Sequence, residues 1–270
     1  MNLQVLRETL KDLPLGYIHY TRRTGSTNDD ALASARAGAA DLTLFIADEQ
    51  TAGHGRLNRR WYTPAGAALA FSLVLRTNPA ESSTFSIPSI PEQLYPRLNG
   101  LGGLSVAETL FEDYGLQAQL KWPNDVLMDG RKLAGVLVEA AWVGEQPEIV
   151  VIGIGVNVKP GSIPPVEMIN FPADCIENFL HQPIDRSLLL RGILQRIISW
   201  RTLIDTNEFL IRWDRLLAFR GEWVRITIDN PEKMTQEGQI IGLDNRGFLR
   251  LRDRAGKEFT TQSGEIRIIP

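Results

Sequence analysis

The chain has 270 residues, 43% of them hydrophobic and 23% charged, with a formal net charge of -3; this allows one large domain or two unequal ones and excludes wholesale disorder or a fibrous repeat. No global basic field exists to gather nucleic acid or anionic lipid. Cys175 is the only cysteine, which excludes an internal disulfide, and His19, His54 and His181 are too scattered for a zinc set, so a reducing cytoplasm is expected.

The first residues contain no basic region leading into a cleavable apolar stretch, and no apolar run approaches the roughly 18 residues of a membrane span. After a short amphipathic opening, GSTNDDALASARAGA reads as a capped helix starting near Thr27, with acidic residues in its first turn. LTLFIADEQ and ALAFSLVL read as strands joined by a glycine-punctuated basic loop. Residues 77 to 97, with four prolines, read as a surface excursion without a catalytic part. A helix follows over LNGLGGLSVAETLFEDYG, then strands over QAQLKW, KLAGVLVEAAW and IVVIGIGVNV, and one or two helices between Arg186 and Phe219. Beyond Arg220, short β-rich runs alternate with turns such as Asp229-Asn230-Pro231 and Asp244-Asn245-Arg246-Gly247, the pattern of a small barrel. The fold class is α+β: a mixed sheet flanked by helices over 1–219, then a small β-barrel over 220–270.

Several segments suit chemistry. The loop from Gly53 to Trp61 combines close-approach glycines, Arg56, Arg59, Arg60 and an aromatic, which fits an anionic ligand with a flat ring; composition alone also admits a basic surface turn with Trp61 in the core. Lys121-Trp122-Pro123-Asn124-Asp125 sets polar residues at a strand end, or is an ordinary turn. Lys132 enters a strand whose Gly135 permits close approach, or it is an exposed rim lysine. Gly153-Ile154-Gly155-Val156-Asn157 more simply marks packing or a bulge. Cys175 reads as a small buried hydrophobe in a helix and His19 as a half-buried strand residue. A phosphate loop, a zinc-protease helix and a nucleophile elbow are all missing from the sequence.

In order, Gly25-Ser26-Thr27-Asn28, Asp48-Glu49-Gln50-Thr51-Ala52-Gly53-His54-Gly55-Arg56, Lys121-Trp122-Pro123-Asn124-Asp125 and Arg131-Lys132-Leu133-Ala134-Gly135 resemble the biotin protein ligase family. The resemblance implies a core related to class II aminoacyl-tRNA synthetases, a terminal SH3-like barrel, and a two-step reaction through an acyl-adenylate with ATP and biotin as substrates. It places Ser26, Thr27, Asn28, Gln50, Gly53, His54, Gly55, Arg56, Lys132 and Gly135 around biotin. Hydroxyls and an amide suit the ureido ring, and Lys132 suits the carboxylate attacking the α-phosphate. Arg56 falls where the family holds the adenylate, Trp61 where adenine stacks, and Arg59, Lys121, Asn124 and Asn157 on the nucleotide side. Mg²⁺ is expected to arrive with ATP, with Asp125 as its protein contact.

Two departures stand out. His54 and Asn58 replace the arginine and glycine common in the family's loop, so a side-chain contact is expected to be lost while backbone contacts survive. The residues before Ser26 are too few for a winged helix-turn-helix, so transcriptional repression is not expected. The implied partner is the biotin carrier domain of a carboxylase, of the acetyl-CoA carboxylase type, with room for a homodimer. The rival readings are lipoate or octanoate ligation or transfer, a silent biotin-sensing module and, last, nucleic-acid binding.

Overall fold

Helix α1 (Leu3–Thr9) precedes strand β1 (Ile18–Thr24), helix α2 (Thr27–Arg36), and strands β2 (Leu44–Gln50) and β3 (Ala68–Arg76). Helix α3 (Arg97–Tyr114) leads into β4 (Gln119–Lys121), β5 (Asp125–Met128), β6 (Arg131–Val143) and β7 (Gln146–Asn157). Helices α4 (Ile176–Leu180), α5 (Arg186–Arg201) and α6 (Asn207–Arg215) follow. Strands β8 (Trp223–Thr227), β9 (Thr235–Leu243), β10 (Leu249–Arg252), β11 (Glu258–Thr261) and β12 (Glu265–Ile268) end the chain. This computed structural model describes residues 1–76, 92–143, 146–228 and 234–269. Most of the expected excursion and the Asp229-Asn230-Pro231 turn therefore lie outside the described residues.

A seven-stranded sheet runs β1-β2-β3-β7-β6-β5-β4. Its β1 and β2 are parallel, connected by the crossover helix α2, and its other neighbours are antiparallel. β5 is not among the strands expected from sequence: the turn reading ends at Asp125 and leaves Val126 to Met128 unassigned, yet Asp125 to Met128 pair on both sides.

The sheet is apolar on both faces, so its strands lack the alternation of a half-exposed sheet. On one face Leu44, Ile46, Leu73, Leu75, Val150 and Ile152 join the large core with α3 and α5. On the other, Phe45, Val74, Ile149 and Val151 pack beneath Ala31, Leu32 and Ala35 of α2. Each fully buried aliphatic or aromatic side chain contributes about 1.5–3 kcal/mol, so the two cores fix which face each strand residue takes.

The second sheet, antiparallel in the order β11-β10-β9-β8-β12, is the expected C-terminal β unit. Buried polar contacts dock it. Trp122 donates its indole N–H to the Gly247 carbonyl at 3.0 Å, and Arg97 donates to the Asn245 and Ile204 carbonyls. Among the described residues no helix is long and apolar enough to cross a membrane. Trp122→Phe keeps a ring but strands the buried Gly247 carbonyl and leaves a small void; urea denaturation should show a loss of about 1–3 kcal/mol. An unchanged midpoint would mean that this hydrogen bond does not hold the second sheet in place.

Candidate active site

The α2-facing side of the sheet changes character along its strands. Under the body of α2 it carries Val74 and Val151; level with the helix start it carries Ser72, Gly153, Gly155 and Gly135. A side chain at Gly153 would overlap Asn28, and one at Gly155 would overlap the Trp61 indole. Removing bulk there opens a cavity of about 310 Å³.

One end of the cavity is polar and lined by buried residues. Ser26, Thr27 and Asn28 are all buried. Ser26 takes the N-cap position of α2 but makes no side-chain capping bond, so its hydroxyl is left to the cavity. Thr27 donates from its backbone N–H and its hydroxyl to Gln50 Oε1, at 2.8 and 3.0 Å, and Gln50 Nε2 donates to Thr63 at 3.0 Å. Asn28 accepts from Ser72 Oγ at 2.5 Å and donates to Glu139 at 2.7 Å. The amide of Asn28 is thus committed to protein partners.

The other end is charged. Lys132 Nζ lies 2.5 Å from Asp125 Oδ1, and Lys121 Nζ lies 3.8 Å from Asp125 Oδ2. A β-bulge sets this up. Gly135 pairs with Asp125 and Ala134 with Val126, but Lys132 then pairs with Leu127, so Leu133 is the extra residue. In a regular ladder Lys132 would fall on the face opposite Asp125; the bulge returns it to the face of Asp125 and Gly135. The backbone of Lys132 is pinned by Pro172 and Asp174 at 2.7 and 3.1 Å. Burial lowers the pKa of Lys121, with Asp125 opposing that shift and Lys132 adding to it. The Phe171 ring, 4.2 Å from its ammonium, supplies a further weak attraction.

The loop spans the cavity as a tight hairpin: Trp61 N–H donates to the Gly53 carbonyl at 2.8 Å and Gly55 N–H to the Arg59 carbonyl at 2.7 Å. Its side chains point to three walls. Arg56 reaches Asn124 at 3.4 Å, Arg59 pairs with Glu265 of β12, and His54 faces Glu139. Asn124 is itself stapled to β6 by two bonds with Val136. Trp61 lies over Gly135 and Gly155 with its buried indole N–H unpartnered, and Asn157 Oδ1 is a second buried group without a partner. Asn157 Nδ2 is bound to the Asp174 carbonyl at 3.0 Å.

Against these walls, residues 20–157 match the biotin/lipoate A/B protein ligase family. The chain belongs to that family. It is 31% identical over 258 residues to the bifunctional ligase/repressor BirA of Bacillus subtilis, covering 93% of this chain and 74% of that protein. It is likewise 31% identical over 247 residues to a biotin–acetyl-CoA-carboxylase ligase of Paracoccus denitrificans, covering 87% and 94%. The biotin protein ligase from Aquifex aeolicus in complex with biotin and ATP superposes with a TM-score of 0.74 at 26% identity, covering 94% of this chain and 98% of that one.

The site residues that the resemblance implied therefore converge on one cavity, with the exception of Gly53, which is buried between the Gln50 side chain and the Trp61 backbone and does not line it. Gly153 and Gly155, read from sequence as packing, prove to be its floor. Both oxygens of Asp125, the residue expected to contact a magnesium ion arriving with ATP, face the ammonium groups of Lys132 and Lys121. Cys175 sits at the N-cap of α4 rather than inside the helix, and burial pushes its thiol pKa up, away from nucleophilic use. Sequence reading missed Ser72, Glu139, Phe171 and Glu265. Ser72 and Glu139 carried a signal, as lone polar residues in apolar strands; Phe171 and Glu265 carried none.

Gly155→Ala should push the family's loop tryptophan off its floor. The change is readable as a shifted indole emission that disappears in a Trp61→Phe background; an unshifted spectrum would place Trp61 elsewhere.

Proposed function

We propose that the chain is an ATP-dependent biotin protein ligase. It joins the biotin carboxylate to the α-phosphate of ATP with release of pyrophosphate, then passes the biotinoyl group from AMP to the ε-amine of a lysine on a carboxylase carrier protein. The observation that carries this reading is the division of one cavity into a buried polar end and an end with two ammonium groups flanking a carboxylate.

At the polar end, Ser26, Thr27 and Gln50 supply a hydroxyl and a helix start to a ureido ring, which brings both donors and an acceptor. A linear octanoyl tail, or the dithiolane of lipoate, would leave the Ser26 hydroxyl without a partner, which disfavours such substrates. At the charged end, Lys132 sits where the acid's carboxylate must approach phosphorus. Its ammonium offsets repulsion between two anions and stabilises the charge that grows during attack. Asp125 orients Lys132. Magnesium comes with the polyphosphate of ATP rather than from a protein cage, since the donor set around Asp125 does not fit a resident ion.

The unpartnered Asn157 Oδ1 suits an amino donor such as that of adenine, and the Trp61 indole N–H suits an acceptor on the same ligand. Arg56 and Arg59 carry positive charge over the adenylate, while the hairpin they sit on keeps water from it. Residues 1–219 form the catalytic unit. Residues 220–270 supply a wall of the site through Gly264, Glu265 and Ile266.

Purified protein incubated with Mg-ATP and, separately, biotin, lipoate or octanoate should form biotinoyl-adenylate alone by mass detection; a lipoyl- or octanoyl-adenylate instead would contradict the substrate assignment. Lys132→Ala should slow adenylate formation by about 10²–10³-fold. Wild-type rates in that variant would remove Lys132 from its role.

A further inference from the structure

We propose that Glu139 is a positioning residue that latches the loop shut through His54, so that the arginine common in the family's loop is replaced here by an imidazole–carboxylate contact and not by a gap. His54 Nε2 lies 3.7 Å from Glu139 Oε2 on β6 and 3.9 Å from Asp29 Oδ1 on α2. Its other ring nitrogen, Nδ1, lies 3.4 Å from the Ala52 carbonyl oxygen. A protonated ring presents an N–H to oxygens on both sides, whereas a neutral ring serves one side only. His54 is one residue from each of two loop glycines and its backbone bridges to Arg60, so its position fixes that of the hairpin.

Glu139 is held independently of the loop. Its Oε2 accepts from Asn28 Nδ2 at 2.7 Å, and Asn28 in turn accepts from Ser72 on β3. The same carboxylate oxygen therefore meets the α2 start on one side and the loop on the other. Both ends of the contact are part-buried, the Glu139 side chain 32% and the His54 side chain 28% exposed, which limits screening by solvent. Asp29, at 62% exposed, is the weaker partner. This latch lies across the cavity from the Arg59–Glu265 pair, so the hairpin is tied to the first sheet at one edge and to the second sheet at the other.

The latch rests on the ligase reading only for its kinetic readout. The test compares Glu139→Gln, which keeps an acceptor for Asn28 but removes the charge, with His54→Gln and the double variant Glu139→Gln/His54→Gln. In ligand-free protein, trypsin should cut the loop at Arg56, Arg59 or Arg60 about twofold to fivefold faster in either Gln variant, the range expected for one partly exposed imidazole–carboxylate contact. Cleavage elsewhere in the chain should be unchanged. With biotin and ATP, KM for biotin should rise by a similar factor while kcat stays within about twofold. The double variant should be no worse than either single one. Loop cleavage and KM unchanged in Glu139→Gln, or additive effects in the double variant, would overturn the latch. A wild-type protein that forms no biotinoyl-adenylate would instead overturn the ligase reading, and the protease result would still decide the latch.

Discussion

A carboxylate held between two ammonium groups is the arrangement on which the rest of this site depends. Two like charges about 4 Å apart repel by roughly 4 kcal/mol at the effective dielectric of a protein surface region, and the reaction must bring a second anion, the biotin carboxylate, up to a phosphate. In the proposed role Lys132 meets that demand only if its ammonium is aimed, and Asp125, touching it at 2.5 Å, holds it in place. The same carboxylate counters the effect of burial on Lys121. The β4–β5 hairpin places Lys121 directly opposite Asp125, and the bulge at Leu133 brings Lys132 to the same face.

The cavity around this centre follows from where the sheet gives up side chains. Val74 and Val151 fill the space beneath α2, whereas Gly153 and Gly155, further along the same face, leave it to Asn28, Trp61 and a ligand. The loop closes over that space with few apolar contacts of its own, and Leu57 at its tip is 46% exposed with φ near 61°. Its position is set by polar ties to both sheets, which suits a segment that must open for substrate and close for chemistry.

Much of this was legible in the sequence because it is local. The start of α2 at Thr27, the strands on either side of the loop and the long helix α3 follow from capping, apolar runs and glycine punctuation. Nearly every residue that the family resemblance placed at the site lines the cavity. Whatever depends on register or on distant pairing was not legible: no local signal marks a one-residue bulge at Leu133, and β5 is too short and too close to Pro123 to read as a strand. Glu265 meets Arg59 from 206 residues away. Asp125 was legible as a site residue, but its contacts with Lys132 and Lys121 were not, since they depend on the bulge and on the β4–β5 pairing.

The most direct test of the central arrangement is the single-turnover rate of biotinoyl-adenylate formation at saturating substrates in Asp125→Asn, Lys132→Gln and the double variant. If Asp125 acts by holding Lys132, the double variant will be no slower than Lys132→Gln alone, because the partner being held is already gone. Losses that multiply across the two positions would show that Asp125 serves the reaction independently of Lys132, and would contradict the account given for the site.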